Sequence, residues 1–172
     1  MNALKESLWK QSGASIDMLK NAIILWPEER WATNKKFFYT AYHTLIFLDY
    51  YPTIPPKNFS SPLPFTLTEP PGIPEDALDD VVPDRVYSKQ ELLDYLESTR
   101  DKCHTLIAGL TEEKLKERFI EEPGQGVMDY SVLEILLYNM RHVQHHSAQL
   151  NLFLRQTINN APGWVARAKD EL

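Results

Sequence analysis

The chain has 172 residues, 43% of them hydrophobic and 24% charged, with a formal net charge of -6 at pH 7. That length suits a single domain spanning residues 1–172, and the composition is that of a folded globular protein rather than a disordered one. The acidic balance, with 18 Lys and Arg in no dense run, argues against nucleic-acid binding.

The N-terminus, MNALKESLWKQSG, lacks the apolar core of a signal peptide, and no stretch approaches the ~20 apolar residues of a membrane span. A cytoplasmic protein without membrane partners is therefore expected. Helical periodicity runs from about Asn2 to Trp26, with Leu4, Leu8, Ile16, Leu19, Ile23 and Ile24 as its buried face and an interruption near Gly13. Pro27 ends it. A second helix is predicted over Trp31 to Tyr51, unusually aromatic through Phe37, Tyr39, Tyr42, Phe47 and Tyr50, and Pro52 stops it.

Between Pro52 and Pro83 lie nine of the twelve prolines. A connection of this length is expected to pack over the end of the helices, either as a lid that shapes a substrate pocket or as a loop that only covers apolar surface. Ser88 and Glu91 form an S-x-x-E capping box that opens a third helix, with Leu92, Leu93, Leu96, Cys103, Leu106, Ile107 and Leu110 as its stripe and Gly109 near its end. Cys103 is the lone cysteine, so there is no internal disulfide, and a small packed residue is the expected role. Thr111 is read as the cap of a short helix, TEEKLKERF, followed by a turn or small hairpin around Glu122 to Gly126. A second S-x-x-E box, Ser131 with Glu134, opens the last helix, which runs to about Ile158. In the tail, Trp164 is a candidate anchor against the helices or a second subunit. The terminal KDEL matches a retention address that is read only inside the secretory pathway, and it is taken as coincidence.

The last helix carries the chemistry. Ile135, Tyr138, Asn139, His142, His146, Gln149 and Phe153 fall near one line, with His145 on its margin. Imidazoles at i and i+4 lie one above the other and suit two bonds to one ion. The alternatives are a pair of polar core residues, or the i, i+3 pair His142 and His145 as ligands. His43 on the second helix can supply a third nitrogen, and three neutral nitrogens leave a coordination position for water or substrate. Ligating imidazoles must be neutral, so affinity should fall as pH drops below ~6. Tyr39 and Tyr50 flank His43 at i-4 and i+7 and, with Tyr138, His145 and Gln149, are pocket or outer-shell candidates; no catalytic residue is assigned. Phosphate-binding glycine loops, G-x-S-x-G, H-E-x-x-H and E-x-x-H spacings are absent.

The stretches YHTLIFLDYY around His43 and RHVQHHSAQ from Arg141 to Gln149, with SKQELLDYLESTRDKCHTLIAGLTEEKL between them, resemble the DinB/YfiT-like metalloenzyme superfamily. The resemblance covers nearly the whole chain. It implies an all-α fold, a four-helix bundle of the up-down-down-up kind with the long Pro-rich connection between helices 2 and 3. It further implies a divalent ion, zinc or nickel, held by His43, His142 and His146. Many relatives carry Arg-Gly where this chain has Ser147 and Ala148. Some are similar to transferases and isomerases that use glutathione, mycothiol or bacillithiol, which implies a thiol-dependent transferase or isomerase, or a hydrolase, acting on a small molecule. The alternative is a non-catalytic metal-binding or interaction domain in stress response. Exposed apolar residues on the first and third helices make a homodimer an expectation.

Overall fold

The computed structural model describes residues 1–122 and 128–172. Five α-helices lie among them, α1 (Asn2–Leu25), α2 (Glu28–Trp31), α3 (Lys35–Tyr50), α4 (Lys89–Ala108) and α5 (Val132–Ile158), with strands β1 (Phe65–Leu67), β2 (Val81–Pro83), β3 (Arg118–Ile120) and β4 (Asp129–Ser131). The strands form two small antiparallel pairs, β1 with β2 and β3 with β4. The four long helices enclose the core, with α1 and α3 each packed against both α4 and α5.

Helix boundaries follow local chemistry. Ser88 and Glu91 make the full reciprocal capping box at α4, and the Ser131 hydroxyl accepts from the Glu134 N–H at α5. Asn159 closes α5 in the left-handed region with φ 52°, a conformation asparagine tolerates. The expected second helix is two: α2 ends at Trp31, and Asn34 restarts the chain as N-cap of α3 by accepting from the Phe37 N–H. Asparagine satisfies the orphan N–H groups that a new helix exposes, so the break is chemically encoded.

Other expectations need correction. Leu4 and Ile24 are exposed on α1; the buried face runs instead through Leu8, Trp9, Ser12, Ile16, Leu19 and Ile23. Gly13 does not interrupt that face. A Cβ there would sit 2.7 Å from Ala168 Cβ, so glycine makes the notch in which the C-terminal tail docks. The Ala168 N–H donates to the Lys10 carbonyl, and Arg100 bridges Asp17 and Asp170. Trp164 is no anchor on the helices, being 72% exposed; the small Ala168 fits where an indole would not. The short helix TEEKLKERF contracts to a 3-10 turn, Lys114–Lys116, and its end becomes β3, because alternation buries Phe119 between exposed Arg118 and Ile120. The expected hairpin tip, residues 123–127, lies outside the described residues. Cys103 is buried on α4.

The Pro-rich connection packs on the helices. Leu63 enters the core, Phe59 and Phe65 pack against it, and Tyr42 of α3 donates its hydroxyl to the Leu63 carbonyl at 2.6 Å. β2 then runs beside α3. This path fixes what the connection brings to the histidines.

Candidate metal centre

α3 and α5 cross where His43 meets His142 and His146. His43 Nε2 and His142 Nε2 are 3.0 Å apart, and ring centroids lie 4.7 Å apart for His43 and His146 and 4.5 Å for His142 and His146. One nitrogen from each ring falls within 4.8 Å of the other two, the one such grouping of His, Cys, Asp or Glu among the described residues. The helices place them this way because α5 buries a stripe through Leu136, Val143, Leu150 and Leu154, with His142 and His146 on its α3-facing flank. Asn139 locks the pairing by donating its amide to the Leu48 carbonyl at 3.1 Å.

Hydrogen bonding sets the tautomers. Gln149 Oε1 lies 2.7 Å from His146 Nδ1, and an amide oxygen can only accept, so Nδ1 carries the proton and Nε2 offers its lone pair. The Gln149 amide nitrogen sits 3.3 Å from His145 Nε2. Gln149 thus orients His146, and exposed His145 touches the cluster through Gln149 and by stacking edge-on with His146, centroids 4.9 Å apart. On the other side Asp79 Oδ2 approaches His43 Nδ1 to 2.9 Å. The approach is off the ring N–H axis, so it is an electrostatic pair more than a directed hydrogen bond. A carboxylate there still favours the proton on Nδ1 and the lone pair on Nε2. His142 has no such partner at Nδ1.

The surroundings keep the rings neutral. Burial first, then the neighbouring imidazoles, pushes His142 down to about 3. Burial, partly offset by the hydrogen bond that His146 donates to Gln149, pushes His146 down to about 4. Both rings thus favour the neutral form, the one in which an imidazole nitrogen can bind a metal. Three imidazole nitrogens converging at this spacing are the donor set that Zn²⁺ or a similar divalent cation takes, and the residues fit such an ion. Burial pushes the Cys103 thiol up to about 12, which leaves it no role as a nucleophile at neutral pH.

The predicted pocket residues divide. Tyr138 lines a groove of about 500 Å³ together with Arg141, His142, Gln144, His145 and Ala148. Tyr50 turns away from the histidines and donates its hydroxyl to buried Glu121 at 2.9 Å. Tyr39 packs on Phe38, with Asp76 among the groups that raise its pKa. Phe47 does wall the cluster, 4.8 Å from His43 and 5.6 Å from His142 between centroids. Two neighbours escaped sequence reasoning. Tyr51 stands edge-on to His142 at 5.8 Å and was findable as the last residue of the predicted second helix, next to the pocket candidate Tyr50. Asp79 had no local signal, because its contact depends on the path of the connection.

A family model described as the DinB superfamily matches residues 41–150, a span that holds all three histidines. No curated protein and no solved structure matches the chain.

Proposed function

The chain belongs to the DinB superfamily, and from that premise we propose that it is a metal-dependent enzyme acting on a small molecule, with His43, His142 and His146 as ligands of one divalent ion. The observation that carries this reading is the convergence of three imidazole nitrogens, one per ring, within 4.8 Å. Zinc and nickel are the metals of choice, since neutral imidazole suits both. Such an ion supplies Lewis acidity and lowers the pKa of a thiol or water brought to it.

The chain's own groups do the rest. Gln149 Oε1 holds the Nδ1 proton of His146, the Asp79 carboxylate favours the proton on Nδ1 of His43 electrostatically, and Phe47 and Tyr51 pack against the rings of His43 and His142. Because Cys103 is buried and protonated at neutral pH, the nucleophile comes from outside the protein. A low-molecular-weight thiol in a transfer or isomerisation, or water in a hydrolysis, meets that requirement. We read the four long helices as one up-down-down-up bundle forming a single domain, 1–172, in a cytoplasmic protein that pairs with itself. No helix among the described residues is long and apolar enough to cross a membrane.

Elemental analysis of tag-free protein, with turnover screens of thiols against electrophiles, tests the reading. One divalent ion per chain, lost in each single histidine-to-alanine variant, with thiol-dependent product, is the expected result. Full metal content in all three variants would contradict the ligand set. Metal without turnover would make the chain a non-catalytic metal-binding domain.

A further inference from the structure

The two sides of the histidine cluster carry opposite charge. On the His43 side the connection supplies Asp79, whose carboxylate lies 2.9 Å from the ring. On the His142 side, among the described residues, α5 lines an open groove of about 500 Å³ through Tyr138, Arg141, His142, Gln144, His145 and Ala148. No carboxylate among the described residues lines that groove. Among the described residues the Arg141 guanidinium forms no salt bridge or hydrogen bond, a state it shares with Arg30, Arg155 and Arg167, while Arg85, Arg100 and Arg118 each hold a carboxylate. Residues 123–127, which follow β3, contain no acidic side chain that could neutralise it.

What sets Arg141 apart from the other unpaired arginines is its place, since it is the one arginine that lines the groove holding His142. Guanidinium groups bind planar anions bidentately, and a groove that excludes other anions leaves the fork available to a ligand. Arg141 precedes His142 by one residue and lines the same groove, so a molecule spanning the two is small. Tyr138 and His145 flank it at i-3 and i+4 from Arg141, offering a phenol and an imidazole as further polar contacts.

We infer that the substrate or co-substrate of this site carries a carboxylate or a comparable small anionic group, which Arg141 binds while the reacting atom reaches the histidine cluster through the groove. This rests on the metal reading above. Arg141 is here a specificity-determining residue, since it reads charge at a point away from the reacting atoms.

Three thiols of similar size and different charge test it: mercaptoacetate, 2-mercaptoethanol and cysteamine, titrated into cobalt-loaded protein and followed by the sulfur-to-cobalt absorption band. The wild type is expected to prefer mercaptoacetate over 2-mercaptoethanol by roughly tenfold, the scale of one charge-assisted contact, and to bind cysteamine weakest. Arg141→Ala should erase that ranking with unchanged cobalt content, and Arg141→Lys should restore part of it. Raising ionic strength should compress the ranking in the wild type and leave the alanine variant unmoved. In metal-free protein the Arg141 Nε–H resonance should shift with mercaptoacetate and stay still with cysteamine. A cobalt-loaded wild type that ranks the three thiols equally, or an alanine variant that keeps the preference, would overturn the inference. Failure of the metal reading shows separately, as a wild type that takes up no cobalt, and the resonance test then decides the anion site alone.

Discussion

α3 carries two buried polar clusters, six residues apart, and they are built on opposite principles. Around Asp49 every charge is answered: the Tyr95 hydroxyl donates to one carboxylate oxygen at 2.6 Å and Lys102 to the other, while Lys102 also reaches the Asp49 carbonyl and Thr53. Around His43 three ring nitrogens face one another, and the outer atoms of His43 and His146 are the ones that meet protein partners. The first arrangement is complete with protein atoms alone and ties α3 to α4. The second turns its inner nitrogens toward one another and could hold a cation.

Substitution separates the two roles most sharply. His146→Ala removes a ligand and should lower metal affinity by more than the roughly 10–100-fold cost of losing an outer partner, read by chelator competition. Its metal-free fold should survive. Lys102→Met should do the reverse, leaving metal content intact while uncovering Asp49. A bare buried carboxylate costs about 3–5 kcal/mol, and the 37% exposure of the Lys102 side chain brings the expectation to about 2 kcal/mol in urea unfolding. A metal loss in the lysine variant would erase the distinction between the clusters.

Acid sharpens the contrast. His142 and His146 are pushed down to about 3 and about 4 in the fold, so below pH 6.5 the unfolded chain binds more protons than the native one. Stability of the metal-free protein is therefore whole above pH 6.5 and falls as pH drops toward 4, by on the order of 2 kcal/mol per ring at pH 5. Bound metal should hold the native state against that fall until protons displace it. Removing both rings, as in the His142→Ala and His146→Ala double variant, should flatten the profile. The smallest effect belongs to Asp79→Asn: about tenfold weaker metal binding, with Asp79→Glu recovering part of it and the unfolding midpoint of the metal-free protein unchanged.

What the sequence revealed follows the range of the interactions. Caps at Ser88 and Ser131 are written within four residues, so both long C-terminal helices could be placed from text alone. The i, i+4 spacing of His142 and His146 likewise survives folding, since helix geometry fixes it. Asn34 carried an equally local signal for the break before α3, but the aromatic run around it masked the cap. Residues whose role depends on chain path were opaque. Asp79 meets His43 across 36 positions, Ala168 meets Gly13 across 155, and no periodicity encodes either contact. Tyr50 shows the converse. Its helical position was right, yet Glu121, just past the end of β3, accepts a hydrogen bond from its hydroxyl, away from the histidines.

The most direct test of the metal centre is anomalous X-ray scattering from a crystal of protein purified without a tag and without chelators. The expected result is one ion bonded to a nitrogen of each of His43, His142 and His146, with its remaining coordination side turned toward the Arg141 groove. An ion bound elsewhere in the chain, or full metal loading with His43 outside bonding distance, would contradict it.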